Sequence, residues 1–266
     1  MKLSFSTLGC PEWTWSEITS IASDLGYDAI EIRGIGRHLY APNIPQFAPD
    51  TLQNTLQYLE KQRLKISCLT TGCELFLKER YEQNVQEVKD YITLAKACGV
   101  EYVRIMGEGT PEPSLKHDEA FITQVIGELL TDAQQNGVTL LLENNGYFSN
   151  SATLANFVQK LNHPNLGVLW DIHHSVWFGN ESVETTHQNL APYVKHVHLK
   201  DSVREDGQIS YKMPGDGALP LKEMLTLLQS GGYDGYFSLE WVRRWDPTLE
   251  EAGIVFAKYV SYMHAL

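Results

Sequence analysis

The sequence predicts an α/β fold in which eight parallel strands alternate with helices and close into a (β/α)8 barrel. Three observations support this prediction: the chain length, eight short apolar segments separated by stretches with helical spacing, and a helix, glycine and strand pattern that occurs four times. A barrel of this type typically needs about 250 residues, and the chain has 266. Since such barrels reach this length without dividing, residues 1–266 are expected to form one domain.

The eight apolar segments are the candidate barrel strands. Strands of a parallel sheet are buried on both faces, so they consist of nearly continuous apolar runs. Each parallel strand must return through a crossover connection, usually a helix, which explains the long intervals between the segments. The predicted strands span residues 3–7, 29–33, 65–70, 102–106, 138–143, 167–171, 195–199 and 236–240.

The stretches between these strands have the apolar spacing of amphipathic helices. The spacing is weak at residues 185–190, where the sixth helix is expected. No G-x-G-x-x-G motif follows the first strand, which favours a closed barrel over an open doubly wound sheet. Representative apolar series are Ile18, Ile21, Ala22 and Leu25; Val85, Val88, Ile92 and Ala95; Leu154, Phe157, Val158 and Leu161; and Leu221, Met224, Leu225 and Leu228.

Four predicted helices end in a glycine that is followed by an apolar or aromatic residue and then a strand. These glycines are Gly26, Gly99, Gly137 and Gly232. A glycine just past a helix can take the left-handed conformation that ends it. The recurrence of helix, glycine and strand in this order indicates a repeated α/β unit.

Composition and charge exclude several functional classes. The net charge of −12 disfavours a general grip on nucleic acid, because that affinity comes from Lys and Arg side chains. No apolar run approaches the length of a membrane span, and residues 1–13 lack a signal-peptide core. We therefore expect a cytoplasmic protein with no membrane or nucleic-acid partner. The four cysteines have no CxxC spacing and are expected to be buried thiols. A homo-oligomer is compatible with the sequence.

Four ionisable residues end the last four predicted strands. Glu143, Asp171, His198 and Glu240 lie 28, 27 and 42 residues apart. One strand, helix and loop unit of a barrel has about this length, so each residue is expected at the same opening. Three carboxylates and one imidazole form a mostly hard donor set for one divalent ion. Mn²⁺ is the preferred ion, and Mg²⁺, Co²⁺ and Zn²⁺ are alternatives.

The same residues suggest a reaction class. A hydroxyketone or hydroxyaldehyde could bind the ion through two neighbouring oxygens, and the ion would stabilise the enediolate formed by proton loss. Glu143 and Glu240 come from non-adjacent strands, so they could flank the substrate as catalytic acid and base. Proton return to the opposite face gives epimerisation, and transfer to the neighbouring carbon gives isomerisation. A single acidic residue at a strand end is more often a helix cap, but four together favour a metal site.

Several motifs resemble those of the xylose isomerase-like superfamily of TIM barrels, in particular the sugar phosphate isomerase/epimerase group with ketose 3-epimerases and hydroxypyruvate isomerases. This resemblance implies a small carbohydrate substrate, a divalent ion on the four strand-end residues, and substrate contacts from His174 and Arg204. One position departs from the ketose epimerases, which have a Glu where this chain has Ser149. The motifs are Glu143-Asn144, Trp170 to His174, His196 to Asp201, Pro214 to Gly217, and Gly232 to Trp241.

Three alternatives to an isomerase or epimerase were weighed. A dehydratase of the inosose type starts from the same enolate and then expels a hydroxyl group. An endonuclease IV-like phosphodiesterase shares the barrel, but it needs additional histidines that this chain lacks, since the third strand ends in Thr70-Thr71. A non-catalytic sugar-binding barrel is the third alternative.

Other polar residues near these motifs are expected to have structural or surface roles. His173 and His196 are expected to be structural and turned away from Asp171 and His198 by strand alternation. Asp201 is expected to cap a turn. Arg243 and Arg244 are either solvated or placed to meet a substrate phosphate after the last strands.

Overall fold

The computed structural model describes residues 1–114 and 117–266, and within them it confirms the predicted (β/α)8 barrel. Eight strands pair in parallel and close the sheet in the order β1-β2-β3-β4-β5-β6-β7-β10. All eight predicted strands are present, with ends that differ by at most one residue. The barrel strands are β1 (Lys2–Ser6), β2 (Ala29–Ile32), β3 (Lys65–Thr70), β4 (Tyr102–Ile105), β5 (Thr139–Glu143), β6 (Leu166–Asp171), β7 (Val194–Leu199) and β10 (Tyr236–Leu239).

Helices lie outside the barrel between successive strands. The first shows why the chain folds locally: Thr14 accepts a hydrogen bond from the backbone of Glu17, whose carboxylate accepts one from the Thr14 amide, forming a capping box. The helices are α1 (Trp15–Asp24), α2 (Leu52–Lys61), α3 (Tyr81–Cys98), α4 (Glu119–Asn136), α5 (Ser151–Leu161), α6 (Ile172–Trp177), α7 (Val183–Leu190), α8 (Leu221–Ser230) and α9 (Ala252–His264).

The four predicted glycine caps have the expected backbone conformation. Gly26, Gly99, Gly137 and Gly232 have φ angles of 77°, 67°, 67° and 81°. A residue with a Cβ is strained in this region, so glycine ends each helix at low cost. A barrel strand begins two to four residues after each of these glycines.

A β-hairpin between β7 and α8 is the main element that the strand count missed. Its strands, β8 (Asp201–Glu205) and β9 (Gln208–Lys212), pair antiparallel as a separate two-stranded sheet. The turn is Asp206-Gly207, where both residues have positive φ angles, 48° and 81°. Asp-Gly is a typical sequence of such two-residue turns. The hairpin rises from the end of the barrel that holds the strands' carboxyl ends.

The interior of the barrel is partly polar. In β4, Val103 and Ile105 are buried on either side of Arg104, which is itself buried. Alternation along a strand turns neighbours to opposite faces. Arg104 therefore points to the interior of the barrel, and Val103 and Ile105 point to the helices. In residues 1–114 and 117–266, no helix has both the length and the apolar character that a membrane crossing requires.

Candidate metal centre

The carboxyl ends of β5, β6, β7 and β10 bring four ionisable side chains together. One ligand-type atom from each of Glu143, Asp171, His198 and Glu240 lies within 4.8 Å of the other three, and all four residues are buried. Nδ1 of His198 lies 3.4 Å from Oε1 of Glu240, 3.8 Å from Oδ2 of Asp171 and 3.9 Å from Oε1 of Glu143. The residues predicted as metal ligands are therefore adjacent in space.

Asp171 is held in place by backbone contacts on both sides. It ends β6 and is the N-cap of α6, where its Oδ1 accepts hydrogen bonds from the amides of His173 at 2.8 Å and His174 at 3.3 Å. The neighbouring Asn144 accepts a hydrogen bond from the Asp171 amide at 2.6 Å and donates to its carbonyl oxygen at 2.9 Å. These bonds occupy Oδ1 and direct Oδ2 toward the cluster.

His198 is oriented by a buried carboxylate from β2, three strands away around the barrel. Nε2 of His198 lies 3.0 Å from Oε2 of Glu31 in β2, and Nε2 of His196 lies 2.8 Å from the same oxygen. Burial lowers the pKa of His198, but the charges of Glu31 and Glu240 outweigh it and hold that pKa well above its ordinary value. A carboxylate on the outer nitrogen is the usual support of a metal-binding histidine, because it fixes the ring.

This contact corrects one expectation. His196 was expected to turn away from His198, yet residues two apart in a strand lie on the same face. The two rings are 5.7 Å apart and share Glu31. The expected structural role of His173 agrees with its position, since its ring is buried and stacks on Tyr211 at 5.4 Å.

Lys200, which the sequence analysis did not single out as a site residue, lies inside the cluster. Its Nζ is 2.7 Å from Oδ2 of Asp171 and donates to Oε2 of Glu240. Burial lowers the pKa of Lys200, but these two carboxylates outweigh burial and hold that pKa well above its ordinary value. Burial raises the pKa of Glu240, and Lys200 and His198 reverse this effect, so the carboxylate stays ionised.

His174, predicted to contact substrate, lies at the edge of the cluster and lines the adjoining cavity. Its Nδ1 is 3.4 Å from Oε1 of Glu143, and its Nε2 is 3.8 Å from Oδ2 of Asp171. Burial lowers the pKa of His174 more than the neighbouring Asp171 raises it, so the ring is neutral near pH 7. Nδ1 is buried and has no hydrogen-bond partner among the described residues.

Arg204 occupies a different place from the one expected. It lies in β8 with its side chain exposed, and Nη1 donates to the carbonyl oxygen of Trp177 at 2.8 Å. In the register of the unpredicted hairpin, Arg204 pairs with Ile209 near the turn, whereas Tyr211 pairs with Ser202 nearer the barrel and lines the cavity. The structure therefore does not bring Arg204 to the cluster.

Arg243 and Arg244 also lie outside the cavity lining. Arg243 donates to the carbonyl oxygen of Leu249, and Arg244 donates to that of Gly36 at 3.0 Å. The expectation for Asp201 agrees with the geometry. This buried carboxylate accepts hydrogen bonds from four backbone amides, those of Ser202, Gly215, Gly217 and Leu219, at 2.9–3.2 Å.

A cavity of about 310 Å³ opens beside the cluster. On one side it is bounded by Glu143, His174 and Glu240, and on the other by Arg33, which follows β2, and Arg104 in β4. Nε of Arg104 lies 3.3 Å from Oε2 of Glu143. The volume is at the lower end of the range for small-molecule sites, so it suits a compact ligand.

The cluster passes a chemical test for one divalent ion. Nδ1 of His198 is buried and lacks a hydrogen-bond partner among the described residues, although three carboxylate oxygens face it. An unpartnered buried nitrogen is costly unless a ligand satisfies it. Three oxygen donors and one imidazole without a thiolate are typical of Mn²⁺ or Mg²⁺, and zinc also accepts such ligands.

Glu31, Arg104 and Lys200 were missed for a common reason. The strand-end criterion covered only the last four predicted strands and one ionisable residue near the end of each, whereas Glu31 and Arg104 come from β2 and β4, and Lys200 follows the already selected His198. A usable signal was present for the first two. Each is a charged residue between two apolar neighbours in a barrel strand, which places it in the interior.

Comparison with known proteins agrees with the fold. A family model described as a xylose isomerase-like TIM barrel matches residues 20–258. Fructoselysine 3-epimerase of Shigella flexneri is 27% identical over 255 residues, covering 91% of this chain and 90% of the relative. Inosose isomerase of Halalkalibacterium halodurans is 26% identical over 265 residues, covering 91% and 88%.

A solved structure extends the comparison to the whole barrel. The crystal structure of the IOLI protein with a binding zinc atom superimposes with a TM-score of 0.79 and 22% sequence identity. The alignment covers 98% of this chain and 96% of that chain. At this identity the likeness establishes the fold.

Proposed function

The chain belongs to the xylose isomerase-like TIM-barrel family, and from that premise we propose that residues 1–266 form one catalytic domain that isomerises or epimerises a small hydroxyketone, such as a sugar or sugar derivative. The observation that carries the proposal is the convergence of Glu143, Asp171, His198 and Glu240 beside a cavity at the carboxyl end of the barrel. This end holds the active site in barrels of this type. The epimerase and isomerase relatives support the same reaction class.

In this proposal the four residues hold one divalent ion. When bound, the ion would polarise the substrate carbonyl and neutralise charge that develops during proton loss. Glu31 would hold the ring of His198, and the backbone amides at the start of α6 would hold Asp171. The zinc named for the IOLI structure supports a divalent ion here. Manganese is our preferred ion because the donor set is mostly hard.

Glu143 and Glu240 are the proposed acid and base. In the barrel, β6 and β7 lie between β5 and β10, so the two carboxylates approach the cluster from different sides. One would remove the proton from the carbon beside the carbonyl, giving an enediolate, and the other would return a proton. Return to the opposite face of the same carbon gives an epimer, and return to the neighbouring carbon gives an isomer.

His174 is the proposed substrate contact. Its neutral ring borders the cavity and lies within 3.4 Å of Glu143, so its unpartnered nitrogen can hydrogen-bond a substrate hydroxyl. Tyr211 of the hairpin covers the cavity from the side of β7. Exclusion of water by such a cover strengthens the interactions of the charged groups with the substrate.

The test is deuterium incorporation from D₂O, measured by NMR with Mn²⁺-loaded protein and a panel of ketoses, aldoses, inososes and their acid and phosphate derivatives. We expect exchange at the carbon beside the carbonyl for at least one compound, and none after chelation of the metal. Loss of a substrate hydroxyl would assign the dehydratase alternative. Saturable binding without exchange across the panel would assign a non-catalytic sugar-binding barrel.

A further inference from the structure

The side of the cavity opposite the carboxylates holds two guanidinium groups. Arg104 is 3% exposed, and its Nε and Nη1 have no hydrogen-bond partner among the described residues. Its ion-pair partner is Glu143, whose Oε2 lies 3.3 Å from Nε. A buried guanidinium has five N–H donors to satisfy, and leaving them unpaired is costly. Arg104 lines the cavity, so an anionic ligand group there could pair with its guanidinium.

Arg33 lies at the same wall and, unlike Arg104, has no carboxylate of the described part of the chain within ion-pair distance. In residues 1–114 and 117–266, no Asp or Glu oxygen lies within ion-pair distance of its guanidinium, and Nη1 reaches only the carbonyl oxygen of Leu39 at 3.4 Å. A Cβ added at Gly72 would lie 3.1 Å from Nη2 of Arg33, so the glycine leaves room for this group. Burial and the neighbouring Arg104 lower the pKa of Arg33, which indicates that the two cations repel each other.

The remaining carboxylates of the cavity are already matched with cations. Glu74 accepts from Arg80 at 2.5 Å, and Glu240 accepts from Lys200. With a divalent ion bound, Glu31, Glu143, Asp171 and Glu240 carry four negative charges, and the ion, Lys200, Arg33 and Arg104 carry five positive ones. Glu87 lies near Arg33 and raises its pKa, so it offsets the fifth positive charge. The two arginines therefore attract an anion through their own N–H donors and not through a net charge of the site.

We propose that Arg33 and Arg104 bind an anionic oxygen group of the substrate, so the enzyme acts on an acidic hydroxyketone. This inference rests on the proposed function and narrows its substrate class. Planar guanidinium groups match the geometry of carboxylates and phosphates. Arg104 contacts Glu143, a member of the cluster, at 3.3 Å, so an anion bound by Arg104 would lie close to the reacting carbons.

The experiment compares three unreactive four-carbon ligands by calorimetry on the Mn²⁺-loaded protein: erythritol, erythronate and erythritol 4-phosphate. They share a polyol chain and lack a carbonyl, so no turnover disturbs the measurement. We expect erythronate to bind at least about tenfold more tightly than erythritol, as charge-assisted hydrogen bonds predict. Tighter binding of the phosphate than of erythronate would assign the subsite to a phosphate.

Variants locate the preference in the two arginines. Arg104→Gln and Arg33→Gln should each remove most of the difference between erythronate and erythritol, while Mn²⁺ affinity and erythritol binding stay unchanged. Arg63→Gln is the matched control, because Arg63 is exposed and precedes β3 at the opposite end of the barrel. An undiminished preference in both cavity variants would overturn the proposal, since the metal alone would then select the anion.

Failure of this inference is distinguishable from failure of the proposed function. Equal binding of the neutral and acidic ligands, with deuterium exchange in neutral ketoses, would overturn the anion subsite and leave the isomerase proposal intact. An arginine-dependent preference for erythronate without deuterium exchange in any compound would support the anion subsite and overturn the isomerase proposal. Loss of Mn²⁺ on Arg104→Gln, with Arg33→Gln showing no effect on binding, would make Arg104 a positioning residue for Glu143 and overturn the subsite.

Discussion

The two halves of the barrel mouth differ in charge. The half formed by β5, β6, β7 and β10 supplies Glu143, Asp171, His198 and Glu240, whereas the half formed by β1 to β4 supplies Arg33 and Arg104 to the same cavity. Because strands of one closed sheet end at one rim, the fold places both sets within reach of one small ligand. The division suggests that one half performs proton transfer and the other half selects and orients the substrate.

Glu31 links the two halves. It comes from β2 in the basic half, yet its carboxylate contacts His198 of the acidic half through the barrel interior. The same oxygen also contacts His196. The two halves are thus coupled beneath the cavity by a buried hydrogen-bond network, in which an unsatisfied member would be costly.

The largest expected effect is a loss of deuterium exchange on changing a carboxylate of the acidic half, compared with a carboxylate of the basic half. Glu240→Gln and Glu143→Gln should each slow deuterium exchange by about 10²–10⁴-fold, because the amide cannot take up the substrate proton. Glu74→Gln is the control, since Glu74 lines the basic half of the cavity and lies outside the cluster. The measurement is the exchange rate at saturating Mn²⁺. Near-normal exchange in both cluster variants with metal retained would place the base elsewhere.

The second prediction separates a ligand from a substrate contact within the acidic half. His198→Ala should lose Mn²⁺ binding by more than the about 10–100-fold cost of a lost supporting residue, because its Nδ1 faces three carboxylate oxygens. His174→Ala should keep most of the Mn²⁺ affinity and lose turnover. Titration of Mn²⁺ followed by electron paramagnetic resonance checks both. Equal metal loss in the two variants would make His174 a ligand.

The third prediction concerns the link between the halves. Glu31→Gln should weaken Mn²⁺ binding by about 10–100-fold, because it removes the charged partner of the His198 ring and leaves the donor set itself intact. Ser67→Ala, another buried change in a barrel strand of the same half, is the control; its hydroxyl contacts Ser4 at 2.8 Å. Unchanged Mn²⁺ affinity in Glu31→Gln would show that the His198 ring needs no such support.

The sequence was informative about the acidic half because its residues end strands. Each of Glu143, Asp171 and His198 follows or closes an apolar run, and the position of a strand end fixes which rim the residue reaches. The helix, glycine and strand repeat likewise predicted the barrel, since the glycine caps depend on local backbone geometry alone.

The basic half could not be identified in this way. Arg33 and Arg104 carry the same charge as many surface residues, and only their positions in the closed sheet direct them into one cavity. The place of Arg204 depended on a hairpin that the strand count did not include, although Asp206-Gly207 is a local turn signal. The positions of these arginines therefore depend on the tertiary fold, which local sequence patterns do not reveal.

The smallest expected effect tests whether the Arg204 side chain of the hairpin stays exposed and away from the substrate. Arg204→Gln should change both the exchange rate and the apparent substrate affinity by less than about twofold, because surface substitutions away from special features usually stay within about 0.5 kcal/mol. Arg204 is exposed and donates only to a backbone carbonyl, that of Trp177. Tyr211→Phe serves as the comparison, since that ring lines the cavity from the adjacent strand of the same hairpin. A tenfold or greater loss of apparent substrate affinity in Arg204→Gln, at unchanged thermal stability, would mean that the hairpin turns this side chain inward when substrate binds. Arg204 would then join Arg33 and Arg104, and the positive charge at the mouth would extend to both halves.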